Sequence, residues 1–119
     1  MKTDRPTLVI IRSDPFRTHR AGEALRVAVG LSGGEPERVH IVLMDSAPAL
    51  LYQDPMEFED GETVEDYLDV LKGCGVEFYV EQEFFSGRSD CGETEFEVRR
   101  VSTKAISQLM SRSKNVLIF

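Results

Sequence analysis

"TVEDYLDVLKGCGVEFYV", residues 63–80, is the stretch whose reading decides the fold. Val64, Tyr67, Leu68 and Leu71 recur at the spacing of one helix face. Thr63, with Asp66 three residues on, approximates a capping box and predicts the helix start. Gly73-Cys74-Gly75 then interrupts the pattern. Beyond it Val76, Phe78 and Val80 alternate as a strand does. A helix that stops on glycine and passes at once into an apolar strand is half of a βαβ unit.

The same alternation extends outward in both directions. "TLVIIR" (7–12) and "VHIVLM" (39–44) are short apolar runs rich in β-branched residues. Between them Ala21, Ala24, Leu25, Ala28 and Leu31 share a helix face, with Thr18 as the expected cap and Gly33-Gly34 as the stop. "APALLY" (47–52) reads as a short extra helix. Downstream, "TEFEVRRV" (94–101) alternates loosely, as an edge strand does. In "STKAISQLMSRS", Ala105, Ile106, Leu109 and Met110 form a stripe behind a Ser102 cap, and "NVLIF" (115–119) is the fifth strand. Nearly continuous apolar strands predict a sheet covered on both faces. The expectation is therefore a three-layer α/β/α domain of flavodoxin-like type, built on a mostly parallel five-stranded sheet and occupying residues 1–119 as one unit.

Composition narrows the function classes. The chain is 41% hydrophobic and 29% charged, as soluble globular proteins are. No apolar run approaches the roughly 18 residues that span a bilayer. "MKTDRPT" runs straight into the first strand without a signal-peptide pattern, so a cytoplasmic location is expected. A net charge of −7 argues against nucleic acid, which requires a basic face. No Lys or Arg occurs between Arg38 and Lys72, while Glu57, Glu59, Asp60, Glu62, Glu65, Asp66 and Asp69 crowd one segment. That segment reads first as a solvated acidic surface, and second as a docking surface for a basic partner. Cys74, Cys91, His19 and His40 show no metal-ligand spacing, so neither a structural metal nor a cofactor is expected.

In an open α/β sheet, ligands collect at the carboxyl ends of the strands. Three loops qualify: "SDPFRTHR", "DSAPALLYQD" and "EQEFFSGRSDCG". The first places Arg17 and Arg20 before a helix start, an anion-binding candidate, although it matches neither dinucleotide nor Walker glycine patterns. A phospho-acceptor receiver is excluded on residues, since the third strand ends in Glu81 rather than Asp. Glu81 and Glu83 have the chemistry of a general acid or base, but no nucleophile adjoins them in sequence. Cys74, between glycines, reads as a small packed residue. Cys91 lies near Arg88, a cation that would favour the thiolate. Phe84-Phe85 must pack inward or against a partner.

Taken over its whole length, the chain resembles the DsrE/DsrF family of sulfur-relay proteins, in its DsrF/TusC-like branch. The resemblance is carried by "RSDPFRTHRAGEALRVAVGLS", "VHIVLMDSAPALL", "VEDYLDVLKGCGVEFYV" and "SRSKNVLIF". It implies a small α/β subunit of a homo- or hetero-oligomer, a trimer or hexamer with DsrE-like subunits. Active members carry a cysteine at the end of the third strand that accepts and passes on a persulfide; DsrF/TusC-type subunits are the architectural partners. The family stretch that holds this cysteine aligns with "V-E-Q-E-F-F-S-G-R-S", Val80 to Ser89. Arg88 keeps the arginine, and Glu81 stands where the cysteine would be. A carboxylate cannot carry sulfane sulfur, because transfer needs a thiolate that attacks and retains it. The resemblance therefore points to an accessory, non-catalytic subunit. The alternatives are a persulfide carrier that uses Cys91 as its catalytic residue, at most a sulfurtransferase-like activity, and a small-molecule or anion-binding module.

Overall fold

The computed structural model describes residues 5–87 and 93–119. Five strands form one sheet: β1 (Thr7–Ile11), β2 (Val39–Leu43), β3 (Phe78–Glu81), β4 (Val98–Val101) and β5 (Asn115–Ile118). Their order is β4-β3-β2-β1-β5, and every pairing is parallel. Among the described residues the α-helices are α1 (Arg20–Ser32), α2 (Ala49–Tyr52), α3 (Gly61–Cys74) and α4 (Thr103–Arg112). The expected flavodoxin-like α/β architecture is what the chain adopts, with an all-parallel rather than mostly parallel sheet.

Connection handedness explains the layers. From β1 through α1 to β2, and through α3 to β3, the chain steps across the sheet in one direction. From β4 through α4 it returns past β1 to β5 on the other side. Right-handed crossovers then require α1 and α3 on one face and α4 on the other. The two cores match this. Val9, Ile11, Ile41, Leu43, Phe78 and Val80 pack with α1 and α3, whereas Leu8, Ile10 and Val42 pack around Ile106 of α4.

The second face is less covered than the apolar strands predict. Edge strand β5 pairs only with β1, and Ile118 is 53% exposed. One ten-residue helix spreads over a five-stranded face, so the outer strands remain open to solvent. No helix among the described residues is long and apolar enough to cross a membrane.

Helix ends correct the sequence reading in two places. Helix α1 starts at Arg20, after a His19 that makes no capping bond, while the Thr18 hydroxyl accepts from the Arg20 amide instead. Helix α3 starts at Gly61, two residues before the predicted cap, so Thr63 lies inside its first turn. The cause is the 3-10 turn Pro55–Glu57, whose chain packs against Gly61 and fixes the entry point. At the other end of α3, Gly75 closes the helix at φ +80°, a left-handed conformation that a side chain would strain. The Ser102 cap is as expected: its hydroxyl oxygen accepts from the Ala105 amide at 3.1 Å. Ser102→Ala is expected to lower stability by about 1 kcal/mol in urea unfolding, the usual value of a lost N-cap. No change would show that water replaces the cap.

Candidate functional site

The carboxyl ends of β1, β2 and β3 share one rim of the sheet. Just past β1, the Arg12 guanidinium donates to the Asp45 carboxylate at 3.0 Å. Asp45 follows β2 and sits at φ +56°, a left-handed backbone that Asp tolerates better than most residues. Glu81 ends β3, and its carboxylate accepts the Thr103 hydroxyl at 3.1 Å. Thr103 is the first residue of α4 and follows β4 closely, so the β3–β4 pairing is what brings the two together. A cavity of about 270 Å³ opens here, lined by Asp45, Glu81, Glu83, Phe84 and Ser86.

Directly after β3 the chain turns through a 3-10 segment, Gln82–Phe85. Phe84 and Phe85 pack inward rather than standing exposed. Tyr52 of α2 stacks on Phe84 at 6.0 Å and meets Phe85 edge-on at 5.9 Å. The Arg100 guanidinium lies 3.7 Å above the Phe85 ring, within cation–π range. Both rings also pack against the main core. These contacts hold both phenylalanines half-buried within the chain. A second cavity of about 600 Å³ adjoins the same segment and is lined by Phe85, Ser86, Arg100, Thr103 and Lys104 among others.

The remaining sequence candidates fall elsewhere. Cys91 and Arg88 lie outside the described residues. Cys74 ends α3 and is half-buried against the core. It stands at the end of the domain where α3 enters β3, away from the strand terminus that bears Glu81. Arg17 is drawn toward Asp14 at 3.8 Å and is otherwise exposed. Arg20 is exposed at the first turn of α1, with no ion pair among the described residues. The same helix start carries acid: the His19 ring bonds the Asp60 carboxylate. That bond, together with the charge of Asp60, raises the His19 pKa above its ordinary value. An anion would meet Asp14 and Asp60 there, so Arg17 and Arg20 do not form a clean basic pocket.

On the α4 face His40 and Tyr79 lie 5.3 Å apart, centre to centre. Burial lowers the His40 pKa and raises that of Tyr79, since each loses hydration of its charged form. No group of three or more His, Cys, Asp or Glu among the described residues is placed to hold a metal ion.

Asp45, Thr103 and Arg100 were not singled out from the sequence. Asp45 carried a signal, as the first acid after the second strand. Thr103 and Arg100 carried none, because their approach to Glu81 and Phe85 depends on β4 lying beside β3.

No protein-family model matches the chain, and no curated protein matches it. Among solved structures, it superposes on the ychN protein from E. coli with a TM-score of 0.77. The match covers 97% of this chain and 99% of that one, at 19% identity. At that identity the likeness establishes the fold: the chain has the α/β architecture of the ychN protein along nearly its whole length.

Proposed function

We propose that the chain is a DsrE/DsrF-like protein of intracellular sulfur trafficking that acts as an accessory oligomeric subunit and carries no sulfur at the family position. The observation that carries this reading is Glu81. It ends β3, lines an open cavity and is held by the Thr103 hydroxyl. A thiolate at that point would attack a donor persulfide, keep the outer sulfur and release the donor thiol. A carboxylate does neither. The full-length fold likeness supports the family reading, and the resemblance of the sequence stretches supports its DsrF/TusC-like branch.

The test is sulfur loading. The full chain is incubated with glutathione persulfide and its intact mass is measured before and after reduction. The expected result is no reducible sulfur on the wild-type protein and one on Glu81→Cys. A wild-type protein that gains sulfur and loses the gain in Cys91→Ser would replace this reading with the persulfide-carrier one. A Glu81→Cys protein that stays unloaded would count against the family assignment of the site.

A further inference from the structure

The cavity of about 600 Å³ at this rim carries two cations that hold no carboxylate among the described residues. Arg100 comes from β4 and Lys104 from the first turn of α4. By contrast Arg12, Arg26, Arg38, Lys72 and Arg99 are each paired with an acid. Glu83 lines the same cavity, yet it bridges to neither cation. The cavity at the opposite end of the sheet offers Arg5 and Lys114, but there Glu35 and Glu37 balance them. In a chain of net charge −7, the open pair on one cavity calls for an anion from outside.

The surroundings hold these cations ready. Arg100 is in register with Val80, whose side chain lies in the main core, so both point to that face. There the guanidinium rests 3.7 Å above the Phe85 ring. The ring positions it but accepts none of its N–H groups in the plane of the fork, which stay available to a ligand. Lys104 is placed against helix stability. The first turn of α4 holds no acid, and a cation there opposes the helix dipole.

Hydroxyls extend the donor set. Ser102 Oγ accepts from the Ala105 amide, which leaves its own O–H to donate. Ser86 lines the cavity with a hydroxyl that has no partner among the described residues. Thr103 is already committed, since its O–H goes to Glu81.

Two cations and two hydroxyl donors match a phosphoryl group, which brings a charge of about −1.5 to −2 and three acceptor oxygens. The cavity is also larger than one phosphate, within the range of about 300–1,000 Å³ that small-molecule sites occupy. Glu83 and Phe85 supply what a body attached to that phosphate needs, an acceptor for its hydroxyls and an apolar wall. We propose that this cavity binds the phosphate monoester of a small hydroxylated molecule. The phosphoryl group sits at Arg100 and Lys104, and the hydroxylated body lies toward Glu83. The inference goes beyond the function proposed above and does not depend on it. Sulfur loading at position 81 and ester binding here are read separately, so either can fail alone.

The test follows the amide resonances of the isotope-labelled full chain during titration with glycerol phosphate, inorganic phosphate and glycerol, at constant ionic strength. Glycerol phosphate should give saturable shifts centred on residues 82–86 and 99–106. It should bind about tenfold more tightly than inorganic phosphate, through the added atoms, and glycerol should not bind. Kd should rise about tenfold or more in Arg100→Gln and in Lys104→Gln, since each removes a hydrogen bond between charged groups. It should be unchanged in Lys114→Gln, which removes an equal charge at the other end of the sheet. Lys104→Gln leaves the contact of Arg100 with Phe85 in place, and its urea midpoint should match or exceed that of the wild type, so its weaker binding is not a loss of folding. Absence of saturable shifts, shifts centred elsewhere, inorganic phosphate or glycerol binding as tightly as the ester, or Lys114→Gln weakening binding as much as Lys104→Gln would each overturn the proposal.

Discussion

Phe78→Ala is expected to lower the unfolding free energy by about 3–5 kcal/mol, the range for aromatic truncation in a packed core. Phe78 is the largest side chain that is wholly buried. Its ring meets Phe96 edge-on at 5.6 Å, which links β3 to the chain entering β4. Its neighbours belong to strands on both sides, since it is in register with Ile41 of β2 and Val98 of β4. Removing the ring leaves a cavity that none of these can fill without breaking the ladder. Beta-3 has only four residues, so little else holds it in place. Urea unfolding should show a lower midpoint with an unchanged slope. A loss under about 1 kcal/mol would mean that the site collapses around the smaller residue.

Gly61→Ala is expected to be nearly as damaging, by about 3 kcal/mol, at the upper end of what overpacking costs. A Cβ at this position would lie 2.1 Å from the Pro55 carbonyl oxygen, 3.0 Å from the Pro55 carbonyl carbon and 3.1 Å from the Met56 Cα. All three are backbone atoms, so no side chain can swing aside. The turn that must move is tied down elsewhere. The Glu59 amide donates to the Pro15 carbonyl at 2.9 Å, and buried Phe58 meets Phe16 edge-on at 5.0 Å. Displacing Pro55 therefore disturbs the loop after β1 as well as the start of α3. The check is a melting-temperature series with Gly61→Ala beside Gly73→Ala, whose added Cβ meets nothing within 4 Å. Equal behaviour of the two would show that the 55–57 turn yields freely.

The alternation of helices and strands was legible in the residues, and the reasons are local. Leu68 and Leu71 lie at helical spacing, and Val76, Phe78 and Val80 alternate, so the type of each element follows from its own side chains. Helix starts were legible only where the cap is local. Ser102 caps α4 through its own hydroxyl, but α3 begins at Gly61 because a separate turn packs there. Strand order lay outside local reading. Nothing in "NVLIF" says that it pairs with β1 alone and leaves Ile118 exposed. The same limit applies to the site. Glu81 was recognised from its place at the end of the third strand, while its partner Thr103 comes from beyond β4. Phe84 and Phe85 left two options open, and the choice rests on Tyr52, which lies far from them in sequence. Arg17 and Arg20 looked like a basic pair because Asp60, the acid that meets the same helix start through His19, is distant along the chain.

The pairing of β1 with both β2 and β5 has a consequence in time. Thr7 is in register with Val39 on one side and with Asn115 on the other, so β1, the last strand but one on this side of the sheet, gains its second neighbour only from a segment far along the sequence. During synthesis, one side of β1 remains a bare row of amides and carbonyls after most of the domain already exists. Closing so long a loop is entropically unfavourable, and folds built on distant pairings assemble slowly. The interval before β5 arrives is when this chain is most open to pairing with the wrong strand.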